Sequence, residues 1–166
     1  TVIPEGKNHG LIFIIDWSGS MSRVLKDTIK QLYNLVWFCK KASIPFEVYA
    51  FTNEWRRRKM NYENGVYETI ENLPSYCDRK EYEFDISDDF SLMNILSSKV
   101  RGNVLEQHMK NIWRVACSFT HGQYYTYPNR LSLSGTPLNE SLVCLHKILP
   151  IFQKENKLEK VQCVIL

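Results

Sequence analysis

One segment limits the folds open to this chain more than any other: the unbroken apolar run Leu11-Ile12-Phe13-Ile14-Ile15, closed by Asp16-Trp17-Ser18-Gly19-Ser20-Met21. A strand made of such a run has no polar face to show to water. Both of its faces must be covered, as they are for a central strand of a parallel sheet flanked by helices. From Met21 to about Ser43 the apolar residues Val24, Leu25, Ile29, Leu32, Tyr33, Val36 and Cys39 recur at helical spacing, which predicts an amphipathic helix. Pro45 stops it, and Phe46-Glu47-Val48-Tyr49-Ala50-Phe51 predicts a second strand. Strand, helix and strand in this order form a crossover unit, so the expected fold class is α/β with a doubly wound, mostly parallel sheet.

The remainder of the chain extends this plan. The stretch at about 53–89 is polar, aromatic-rich and punctuated, with Asn64-Gly65 placed to turn a hairpin, and is expected to elaborate the sheet edge. Helices are predicted near Phe90 to Ser98 and from about Asn103 to Phe119, followed by a loop from Tyr124 to Ser134. Gly135-Thr136-Pro137 predicts a helix start with Thr136 near the N-cap and Pro137 at the first helical position. The stripe Leu138, Leu142, Leu145, Leu149 and Phe152 is expected to pack on the sheet, with Pro150 kinking or ending the helix. Val161-Gln162-Cys163-Val164-Ile165-Leu166 again has the pattern of a buried strand. A core strand normally has a neighbour on each side and a covering helix, so the expectation is a fragment of a longer protein, truncated at the C-terminus after its fourth core strand.

Composition narrows the class of function. With 166 residues, 44% of them apolar and 23% charged, residues 1–166 suffice for one domain with a substantial core. The run Leu11 to Ile15 is far shorter than the roughly 18 residues that cross a bilayer, and no secretory leader pattern is present, so neither a membrane span nor export is expected. A net charge of +3 from 21 basic and 18 acidic residues is too balanced to imply nucleic-acid binding by itself. Five cysteines, an odd number with three inside apolar periodic stretches, are expected to be reduced thiols in a cytoplasmic protein. Cys117 and His121 have helical ligand spacing, but no second Cys/His pair completes a zinc site, and His9, His108 and His146 have no evident partners.

The chemistry concentrates after the first strand. In an open α/β sheet, ligands bind at the carboxyl ends of the strands, where Asp16, Ser18 and Ser20 stand. One carboxylate and two hydroxyls converging near a helix start are hard oxygen donors of the kind Mg²⁺ or Mn²⁺ prefers. A cation held mainly by neutral oxygens keeps net positive charge and attracts a carboxylate from another molecule. The opposing interpretation is that Asp16, Ser18, Ser20 and Thr136 merely cap helices.

Asp16-Trp17-Ser18-Gly19-Ser20 resembles the Asp-x-Ser-x-Ser motif of the von Willebrand factor A domains, whose metal-ion-dependent adhesion site follows the first strand of a Rossmann-like sheet. Ser134-Gly135-Thr136-Pro137-Leu138 is similar to the loop that supplies a threonine ligand in that family, with Thr136 in the ligand position. A third motif, an Asp, is expected to follow Leu166. Asp-Trp-Ser-Gly-Ser-Met and Ser-Gly-Thr-Pro-Leu-Asn-Glu together look most like the intracellular cobaltochelatase-type subunits and their phage-encoded relatives, which work beside MoxR-type AAA+ ATPases. The resemblance implies a metal-dependent protein-docking module without catalytic residues. In it, Ser18, Ser20 and Thr136 would bind the ion directly, Asp16 largely through water, and a partner Asp or Glu would fill the open position.

Two other classes compete. Asp16 could be a phosphoryl-accepting nucleophile, but Ser18 stands where the general acid of an Asp-x-Asp phosphatase would be. Trp55-Arg56-Arg57-Arg58-Lys59 with Tyr62 and Tyr67 could follow a phosphate backbone, although the basic run Arg56 to Lys59 equally suits a solvated edge and nearby glutamates offset its charge. Tyr76, Tyr82, Phe84 and Phe90 are candidates for a partner surface or for packing the insertion onto the domain.

Overall fold

The computed structural model describes residues 8–53, 58–61, 63, 65–69, 86, 89–120 and 126–166. The apolar run forms β1, His9–Asp16, and a short 3-10 turn at Gly19–Arg23 leads into α1, Leu25–Lys41. The chain continues through β2, Phe46–Asn53, β3, Arg58–Asn61, β4, Val66–Thr69, β5, Phe90–Ser97, α2, Gly102–Thr120, α3, Leu138–Glu155, and β6, Lys160–Ile165. The main sheet has the order β5-β2-β1-β6. β1 is parallel to both β2 and β6, whereas β5 runs antiparallel to β2, so the α/β sheet is mixed.

The covering of β1 accounts for its sequence. Phe13 and Ile15 point into a core shared with Leu25, Ile29, Leu32 and Val36 of α1 and with Leu105, Met109 and Ile112 of α2. Ile12 and Ile14 face the opposite side, against Phe51, Leu145, Phe152 and Leu158. Alternate residues of one strand thus serve two apolar layers, each buried side chain contributing about 1.5–3 kcal/mol relative to exposure. The two expected hairpin strands pair as β3 and β4, with Arg58 opposite Thr69 and Asn61 opposite Val66. Gly65 at the turn has φ +69°, a conformation that glycine adopts without steric cost.

Five sequence expectations are corrected. The segment Phe90 to Ser98 is a strand, β5, not a helix. Val48 pairs with Leu96 and Tyr49 with Asn94, so Ile95 is an extra residue that interrupts the two-residue alternation and makes 90, 92, 93, 95 and 96 imitate helical spacing. α3 begins at Leu138 rather than Pro137, and of the two expectations for Pro150, a kink or an end, the end is excluded because the helix runs on to Glu155. Its inward stripe is Ser141, Leu145 and Phe152 with Ile148 and Leu149 beside them, whereas Leu138 and Leu142 are exposed. Finally, β6 is not buried: among the described residues β1 alone pairs with it, and Cys163 and Ile165 are exposed. Among the described residues no helix is long and apolar enough to cross a membrane.

Candidate functional site

β1 ends at Asp16, whose N–H donates to the Leu166 carbonyl at 3.0 Å while the Trp17 N–H donates to Phe51 at 3.0 Å. The carboxyl ends of β1, β2 and β6 therefore lie side by side. Ser18 follows in extended conformation, φ −96° and ψ 165°, and at 2% exposure is buried. Its Oγ lies 2.9 Å from Ser20 Oγ, so the two hydroxyls are paired with one another.

The second segment is fixed to the first by backbone. Ser18 and Ser134 form an isolated parallel bridge, and the Gly19 N–H donates to the Ser134 carbonyl at 2.8 Å. Two residues later stands Thr136, which is exposed. Asn53, at the end of β2, reaches the same place: an added Cβ on Gly135 would stand 2.8 Å from Asn53 Oδ1. A Cβ at Gly135 thus has room only if the Asn53 side chain moves, whereas one at Gly19 would meet nothing nearer than 3.8 Å. Asn53, Thr136, Asn139 and Glu140 line an open cavity of about 410 Å³.

The capping interpretation finds no hydrogen bond. Ser18 makes no side-chain cap to the 3-10 turn, and the N-cap of α3 is Pro137, not Thr136. The start of α3 is instead held by the Pro137 carbonyl, which accepts from Ser141 Oγ at 2.9 Å. Asp16 differs most from its surroundings. Among the described residues its Oδ1 is the one buried side-chain nitrogen or oxygen without a hydrogen-bond partner. The buried carboxylate of Glu47 shows the ordinary case: it accepts from Asn94 Nδ2 at 2.8 Å and from Ser97 Oγ at 2.9 Å. Asp16 as a residue is half-buried, and a carboxylate oxygen without a protein partner is a donor of the kind that a hard cation takes.

Among the described residues no three His, Cys, Asp or Glu side chains gather to hold a metal. A cation here would rest on one carboxylate and several hydroxyls, a donor set that fits a hard ion. Cys39, Cys117, Cys144 and Cys163 are free thiols, and burial pushes the Cys39 thiol up. Asn53 and Glu140 were not among the sequence candidates. Asn53 was accessible through its position at the carboxyl end of a strand, and Glu140 through its place one helical turn beyond Thr136. The basic stretch at 54–57, Tyr62, Tyr76, Cys77, Tyr82, Phe84 and His121 lie outside the described residues, as do the side chains of Arg58, Lys59 and Tyr67. Comparison with models of protein families, with curated proteins and with solved structures gives no match to this chain.

Proposed function

We propose that this α/β domain is a metal-ion-dependent protein-docking module, in which Asp16, Ser18, Ser20 and Thr136 hold Mg²⁺ or Mn²⁺. The observation that carries this reading is the buried, unpartnered Oδ1 of Asp16, in a segment whose Ser18 and Ser20 hydroxyls lie within 2.9 Å of each other. The Ser18–Ser134 bridge brings the Thr136 loop to the same end of the sheet. When bound, the ion supplies an electrophilic centre for an oxygen ligand from another molecule. Of the four proposed ligands only Asp16 carries a charge, so the ion retains positive charge and favours an Asp or Glu from a protein partner.

The domain acts by binding rather than by catalysis, in the cytoplasm. Its resemblance to cobaltochelatase-type and phage-encoded von Willebrand factor A domains points to a MoxR-type AAA+ ATPase, or the client of one, as partner. Titration with Mn²⁺ by calorimetry tests the site: the wild type is expected to bind one ion, and Ser18→Ala and Thr136→Ala each to bind at least about ten-fold more weakly. Equal binding by wild type and both variants, or none by the wild type, would remove the proposal.

A further inference from the structure

We infer that Trp17 is a positioning residue that sets the Thr136 loop against Asp16, Ser18 and Ser20. The inference rests on the metal-site reading above and concerns the one residue of the Asp16–Ser18 tripeptide that faces away from the site. Side chains alternate along an extended segment, so the residue between Asp16 and Ser18 fixes the direction in which both of them point. Trp17 is fully buried, at 0% exposure, in the core shared by α1 and α2. This anchors the tripeptide more firmly than a loop residue ordinarily would be.

The indole also reaches the other half of the site. Its Nε1–H donates to the Leu131 carbonyl at 2.8 Å, a bond that spans 114 positions in sequence. Leu131 closes the 3-10 turn Asn129–Leu131, three residues before Ser134. The side-chain bond lies beside the backbone bond from Gly19 N–H to Ser134, so the two segments are joined at both ends of a short stretch. The ring meets Phe119 edge-on at 6.4 Å between centroids, and Phe119 meets Tyr127 at 4.8 Å. Tyr127 belongs to the segment that precedes the turn. A rigid bicyclic ring with two torsions, held on one side by aromatic contacts and on the other by a hydrogen bond, sets the spacing between the loops more narrowly than an aliphatic residue can.

Trp17→Phe keeps most of the ring and removes the N–H, and three readouts separate positioning from simple packing. Hydrogen exchange of the Gly19 amide in the metal-free chain is expected to accelerate about ten-fold or more, while the β1 and β2 amides keep their relative protection. Mn²⁺ affinity is expected to fall about ten-fold, and Trp17→Phe/Thr136→Ala to lose less than the product of the two single losses, because the lost N–H bond acts chiefly on the segment that carries Thr136. In the wild type, Mg²⁺ is expected to shift the indole N–H resonance of Trp17 but not those of Trp37 and Trp113, which also decides the matter should the variant fail to fold. A wild type that binds Mn²⁺ but shows an unshifted Trp17 resonance, unchanged Gly19 exchange, or multiplying affinity losses overturns this inference alone. A wild type that takes up no Mn²⁺ overturns the metal site and the inference together.

Discussion

Gly135 and Asn53 show how closely individual residues are fitted at this end of the sheet. A methyl group at position 135 would meet the Asn53 amide at 2.8–3.1 Å, inside any normal contact distance. Gly135→Ala is therefore expected to displace the Thr136 loop and to weaken Mn²⁺ binding, and adding Asn53→Ala to restore it. Calorimetry of the single and double variants checks this. The two helix ends carry a different strain. Ser43 and Lys157 hold φ 55° and 52° just beyond α1 and α3. In each case the next residue donates back into the last turn, Ile44 to Cys39 at 2.9 Å and Leu158 to Gln153 at 3.0 Å. This is the Schellman arrangement, in which glycine is the favoured residue. Lys157→Gly is expected to stabilise the fold by about 0.5–1 kcal/mol, measured by urea unfolding, because it relieves the left-handed conformation.

Among the elements, α3 gives the sharpest test of which face is inside. Phe152 is 3% exposed and its neighbour Ile151 58% exposed. Phe152→Ala is expected to cost about 3–5 kcal/mol, and Ile151→Lys to stay within about 0.5 kcal/mol of the wild type. Equal losses in unfolding experiments would show the helix to be rotated. The α1–α2 pairing responds to alkaline pH. The Tyr33 hydroxyl donates to the Met109 carbonyl, and burial pushes its ionisation well above the ordinary phenol value. The folded state keeps this proton where the unfolded chain releases it, so the stability it contributes is intact below about pH 10 and declines above it. Tyr33→Phe is expected to have a lower thermal midpoint at pH 8 and a shallower fall between pH 9 and 11.

The same elements show what could be read from sequence and why. β1, α1, β2 and α2 were legible because burial on both faces, or along one helical stripe, imposes a simple periodicity. β5 was not, since one extra residue at Ile95 breaks its alternation, and that residue is visible only against its partner strand. The outer half of α3 misled for another reason: Leu138 and Leu142 continue the spacing of the inward residues but lie toward solvent. Within the candidate site, Asp16, Ser18, Ser20 and Thr136 were marked by motif. The close contact of Asn53 with Gly135 and the bond from Trp17 to Leu131 join positions 82 and 114 apart, and no local pattern records them.

At the scale of the whole molecule, the sheet gathers the candidate site at one end. The neighbouring carboxyl ends of β1 and β2 deliver Asp16 and Asn53 together, and the parallel bridge at Ser134 carries the start of α3 to the same point. This rigid frame holds a carboxylate in a position that is unfavourable without a partner. A bound ion at a hundred times its Kd would add about 2.7 kcal/mol to stability. The most direct measurement compares thermal midpoints of the wild type and Asp16→Ala with chelator and with saturating Mn²⁺. Without metal, the variant is expected to melt a few degrees above the wild type because the unpartnered buried oxygen is gone, and Mn²⁺ is expected to raise the wild type alone. A variant that melts lower without metal, together with no separate response of the wild type to Mn²⁺, would contradict the proposed metal site.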